Sequence, residues 1–243
     1  MKITKAILIC LITYWALPTF GQQNFFNVPS SDITPKKALF VQQQFNWAAS
    51  SIQSSTTMCV GLGQDFEVGV NLIGVNYDLN NQFTTNSETP PFSPLYAFNA
   101  QKRVDLSEHW KLGIGCQFGT NQALNGGSYL YTNAVYKNEK NGIKLVSGLY
   151  RTSDGYFGPE TRNFSDNAEL KKLGIQVGIE KNLWKEKLLF QADFISGRHA
   201  LGEIVIGGAY FLSKHMVLSA GYQIPTFQSK SIKAAVIEFT WVP

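Results

Sequence analysis

From Leu173 to Ile179 every second residue is aliphatic, while Gly174, Gln176 and Gly178 between them are small or polar. A period of two puts the two sets on opposite faces, so this stretch predicts a strand with one apolar face. After 182–187 the alternation resumes, with Leu188, Phe190, Ala192 and Phe194 set against Gln191 and Asp193. The pair reads as a long antiparallel hairpin. Its arms, about 9 to 11 residues each, have the length a tilted strand needs to cross a bilayer.

The chain repeats this pattern on both sides of the hairpin. Leu39, Val41, Phe45 and Trp47 alternate with Phe40, Gln42, Gln44 and Asn46; Ile52, Met58, Val60 and Leu62 with Gln53, Ser55, Thr57 and Cys59; Phe66, Val68, Val70 and Leu72 with Glu67, Gly69 and Asn71. Further strands are predicted over 95–104, 110–118, 128–137, 143–151, 203–212, 216–224 and 231–241, giving about twelve. Strand 128–137 is ambiguous in facing, because Tyr129, Leu130, Tyr131, Val135 and Tyr136 occupy both sets. Connections at 63–65, 105–109, 138–142, 182–187 and 213–215 are short, whereas 78–94, 121–127 and 152–171 are long and polar. Short turns at one end, long loops at the other and an even strand count are the layout of a membrane barrel. The predicted fold is therefore all-β: a single closed antiparallel transmembrane β-barrel of about 12 strands over 38–243, preceded by an extended lead-in, 22–37.

Composition agrees with this. Charged residues make up only 16% and aromatic residues 13%, which suits strands facing something other than water and is unlike a disordered chain. Residues 1–21 have a separate explanation: Lys2 and Lys5, the apolar run Ala6 to Leu17, and Pro18-Thr19-Phe20-Gly21 before Gln22 read as a secretory signal peptide. The run is short of the roughly 20 apolar residues a spanning helix needs. Removing it lowers the formal charge from +4 to about +2, since Lys2 and Lys5 leave with it, and no basic patch marks a nucleic-acid partner. Cys59 and Cys116 fall on opposite faces, which argues against a disulfide between them. No spacing of His, Cys or acidic residues suggests a metal or a cofactor.

With this layout the chain resembles the bacterial outer-membrane β-barrel superfamily, porin-like, over essentially all of the sequence after residue 21. The closing strand, with Phe239 and Trp241 spaced by two, is similar to the C-terminal signal read by the barrel-assembly machinery. It departs in having Val242 and Pro243 after the last aromatic and Val236 where glycine is common. The resemblance implies residence in outer-membrane lipid, assembly by that machinery, and a passive pore or channel for small solutes. Two alternatives stand beside it: a lipid-modifying enzyme, and a plugged structural or binding barrel whose outer loops contact a ligand.

Residues assigned to the lumen are Glu67, Arg103, Lys111, Lys144, Gln176, Glu180, Gln191, Asp193 and Glu238. Their mixed signs predict no charge selectivity, and they either line a water-filled path or pair with one another. The enzyme reading needs a nucleophile beside an oriented base. His109 and His215 fall in short turns, leaving His199 with Ser196 as the candidates, although a Ser and a His close together in a loop commonly have no chemistry. Loop aromatics Phe83, Phe92, Tyr156, Phe157 and Phe164 either meet a ligand or fold into the mouth. Charge placed at Leu173, Ile175 or Val177 should face lipid and cost about 2 to 4 kcal/mol, with a milder effect at Gln176.

Overall fold

The computed structural model describes residues 24–80, 82–159, 172–184 and 187–243, so the predicted signal peptide lies outside the described residues. Twelve long strands form one closed antiparallel barrel: β1 (Leu39–Trp47), β2 (Ser51–Gly63), β3 (Phe66–Asp78), β5 (Leu95–Asp105), β6 (Trp110–Thr120), β7 (Gly126–Asn138), β8 (Ile143–Thr152), β9 (Leu173–Trp184), β10 (Leu188–Ile195), β11 (Glu203–Phe211), β12 (Met216–Pro225) and β13 (Ala234–Trp241). Each pairs with its neighbour in this order, and β1 closes the ring against β13 through Val41–Trp241 to Trp47–Ala235. Sequence reading missed the short β4 (Gln82–Thr84), which adds to the far end of β3 inside the first long loop. It also missed a one-turn helix, α1 (Asp154–Phe157), in the loop after β8.

The outward faces are mostly apolar, with one hydrogen-bonded polar group of Gln43, Ser54 and Thr56. In the isolated chain Val70 is 57% exposed, Ile175 50% and Leu149 60%, each pointing away from the barrel. A surface of this kind, on a sheet with no open edge, is what a bilayer requires. Trp47, Tyr77, Tyr96 and Tyr222 ring the loop end and Trp110, Trp184, Tyr210 and Trp241 the turn end, all exposed, as interfacial aromatics are. Tyr77 reaches this girdle because Gly74, at φ 73°, carries a bulge that leaves Ile73 and Gly74 opposite Ser55 alone. The extra residue shifts the alternation by one and turns Tyr77 outward.

Tyr150, which lies among the strand-end aromatics, faces inward and is 2% exposed. The ambiguous strand β7 also turns Tyr129, Tyr131, Asn133 and Val135 inward. Glycines on neighbouring strands make the room: a Cβ at Gly115 would lie 2.2 Å from the Tyr131 ring, and one at Gly174 2.2 Å from that of Tyr150. The interior on this side is therefore aromatic and packed. Cys59 faces in, Cys116 does not, and both are free thiols.

Candidate functional site

The lead-in, extended in sequence terms, lies inside the barrel and fills its middle. Phe25, Phe26 and Val28 are at most 1% exposed. The Phe25 N–H donates to the Val28 carbonyl at 3.0 Å, making a tight tip closed by an Asn24–Pro29 bridge. That tip sits on one carboxylate: Asp193 Oδ2 accepts the N–H groups of Phe26, Asn27 and Val28 at 3.0, 2.6 and 2.9 Å. Asn27 Nδ2 donates to Glu203 Oε1 at 2.7 Å, and Gln44 Nε2 donates to Asn27 Oδ1 at 3.2 Å.

From the tip the segment descends toward the turn end. Asn133 Nδ2 donates to the Pro29 carbonyl at 2.9 Å, Gln101 Nε2 to the Asp32 carbonyl at 2.8 Å, and the Thr34 N–H to Glu67 Oε2 at 2.7 Å. Lys144 forms an ion pair with Asp32 and lies 5.4 Å from the centre of the Phe25 ring. Burial works against charge on Asp32, yet Lys144 beside it holds the carboxyl below its ordinary range. Two glycines are shaped to the segment: a Cβ at Gly178 would lie 2.5 Å from the Phe25 ring, and one at Gly61 2.1 Å from the Thr34 carbonyl. The exit is fixed by the Lys37 N–H on the Gly61 carbonyl at 2.8 Å.

The residues predicted for the lumen divide into three groups. Glu67, Lys144 and Asp193 hold the N-terminal segment. Gln176, Gln191 and Glu238 are fully buried in the wall: Gln176 accepts from the Tyr129 hydroxyl and donates to Asn133 Oδ1 at 2.6 Å, and Glu238 accepts from Ser219 Oγ at 3.3 Å. Gln191 Nε2 donates to Glu180, half-buried, at 3.4 Å. Arg103 and Lys111 stand at the turn end, where Arg103 bonds Asp65 and, at 3.0 Å, Asp105. Gln101 faces inward as its strand's alternation predicts, whereas Glu203 and Asn133 were missed. The available signal was Phe25-Phe26-Asn27-Val28, an apolar cluster without a period that needs a buried place.

Above the tip, at the loop end, a vestibule of about 340 Å³ opens. Its floor includes Asn24, Phe26 and Asn27, and its walls carry amides from β1, β2, β3, β6 and β12 together with Phe92, Tyr156 and Phe157 from the loops. The loop aromatics thus separate: these three fold into the mouth, Phe83 is 75% exposed, and Phe164 lies outside the described residues. Beneath the tip, a small cavity of about 40 Å³ lies between Asn24, Pro29, Cys59 and Glu67.

His199 and Ser196 occupy the loop between β10 and β11 but do not form a nucleophile and base. His199 is 1% exposed, its Nε2 lies 2.6 Å from the Tyr150 hydroxyl, and its Nδ1 accepts the Leu201 N–H at 3.2 Å. The Tyr150 hydroxyl donates to the Ser196 carbonyl at 2.5 Å, so one tautomer satisfies all three contacts, with the proton on Nε2. Ser196 Oγ accepts the Ile175 N–H at 2.8 Å. Both side chains are engaged in holding the loop to the rim.

No protein-family model and no curated protein matches the chain. Among solved structures it is similar to the KdgM porin in complex with disordered oligogalacturonate, at 6% identity and TM-score 0.58, covering 84% of this chain and 99% of that one. It is also similar to the NanC porin, at 8% identity and TM-score 0.56, covering 85% of this chain and all of the other. Outer membrane phospholipase A from Escherichia coli aligns at 11% identity with a TM-score of 0.47, covering 84% and 89%. The fold is that of the porin-like outer-membrane barrels.

Proposed function

We propose that the protein is an outer-membrane pore for small solutes, with its loops outside the cell, its short turns in the periplasm, and residues 24–37 setting its bore. One observation carries the reading: a polar vestibule runs from the loop end down to the buried tip, inside a barrel whose outer face is mostly apolar. Bound oligogalacturonate belongs to the matched porin and does not transfer. That ligand is polyanionic, whereas Lys230 is the one charged side chain lining this vestibule among the described residues. The test is single-channel recording of the refolded mature chain in planar bilayers. Small ohmic openings are expected. Correctly folded barrels that never conduct would overturn the proposal.

A further inference from the structure

We infer that the vestibule binds a neutral polyhydroxylated solute, a mono- or disaccharide or a polyol, a refinement that rests on the pore reading above. The walls are built of carboxamides already ordered by one another. On one side Gln44 Nε2 donates to Asn46 Oδ1 at 2.9 Å and Asn46 Nδ2 to Gln223 Oε1 at 3.1 Å. On the other, Asn71 Nδ2 donates to Gln117 Oε1 at 2.9 Å, and the Tyr156 hydroxyl donates to the same oxygen at 2.5 Å. A carboxamide has two donor and two acceptor positions, so bonds of this kind fix its plane while leaving capacity toward the cavity. A hydroxyl likewise both donates and accepts. A fixed array of amides is thus matched to a ligand carrying several hydroxyls, and its ordering cost is met before binding.

Charge argues in the same direction. A charged solute entering the chamber would lose hydration and, among the described residues lining it, meet only Lys230. An anion would also approach Glu203 and Asp193, which lie directly behind the floor and are spent on Asn27 and the tip. Tyr156 and Phe92, both half-buried at the mouth, supply ring surface for the C–H groups of a sugar ring. The volume, about 340 Å³, falls in the roughly 300 to 1,000 Å³ range of small-molecule sites.

The test is current block in planar bilayers by glucose and maltose, set against gluconate, glucosamine and a polyethylene glycol of equal size. Glucose or maltose should block in a saturable way and the other three should not. Gln117→Leu and Gln53→Leu should each weaken the block about three- to tenfold while ion current persists, the loss of about one hydrogen bond. Ion current with sugar effects no larger than those of the glycol would overturn the inference and leave the pore reading standing. If no current flows, the pore reading falls and titration calorimetry of the refolded barrel decides the site. Maltose heat lost in Gln117→Leu would sustain it, and no heat with either sugar would overturn it.

Discussion

Asp193 is the residue on which the interior turns. A strand position that alternation marks only as polar and inward accepts three backbone N–H groups from a segment some 165 residues earlier in the chain. Charge-assisted bonds contribute about 1.5 to 3 kcal/mol each where a buried donor would otherwise be orphaned. Asp193→Ala should therefore free the tip, lowering the unfolding midpoint in detergent and exposing 24–37 to limited proteolysis. Asp193→Asn, which keeps one acceptor oxygen, should do less; equal effects would remove the latch. Asp32 and Lys144 predict a pH dependence. A carboxyl whose folded pKa is lowered contributes stability in full above its ordinary value, near 3.8, and loses it as pH falls from there through the folded value. Protease access to the segment should rise over that acid range. In Lys144→Met, Asp32 stays buried without its cation, and access should begin at higher pH.

At the scale of strands, alternation carries most of the information, because lipid on one side and a packed lumen on the other punish any slip in register. Arg at Val177, near mid-strand on the outer face of β9, should cost about 2 to 4 kcal/mol. The milder effect expected from alternation at Gln176 does not survive the structure. Gln176 is fully buried between Tyr129 and Asn133, so Gln176→Arg should destabilise comparably, and Gln53, on the vestibule wall, is the proper inward control. Heat-modified gel mobility of the three variants checks this, with only Gln53→Arg near wild type. The same register explains what was legible. Strands, facing and the two loop classes follow from a period of two; Tyr77 does not. Tyr150 keeps the phase of Lys144 and so faces inward, where the space at Gly174 on the next strand takes its ring, whereas Tyr77 is turned outward by a one-residue bulge at Gly74. That bulge is a feature of the pairing with β2, which a single strand's pattern does not contain. Gly174→Val should force the Tyr150 ring from its place, costing about 1 to 3 kcal/mol.

For the whole molecule, closure and filling are separate devices. The ring is completed by ladders between β1 and β13 and between β2 and β3, none of which includes a residue before Leu39. The segment instead occupies the lumen, a long-range partnership that no local pattern could reveal beyond an apolar lead-in in need of cover. A chain lacking residues 24–36 should therefore still refold into a closed barrel, at some loss of heat resistance because Phe25, Phe26 and Val28 leave their buried sites. Its interior would change sharply. Glu67, Asp193 and Glu203 would exchange the segment's N–H and amide donors for water, against the ammonium groups of Lys144 and, in the vestibule, Lys230. The shortened barrel should conduct several times more than the full chain and prefer cations, since carboxylates would then outnumber ammonium groups along the widened path. Conductance and reversal potential across a potassium chloride gradient check both expectations. Unchanged conductance in a folded deletion would show that the segment is not the constriction; raised conductance with anion preference would show that the exposed carboxylates do not face the path.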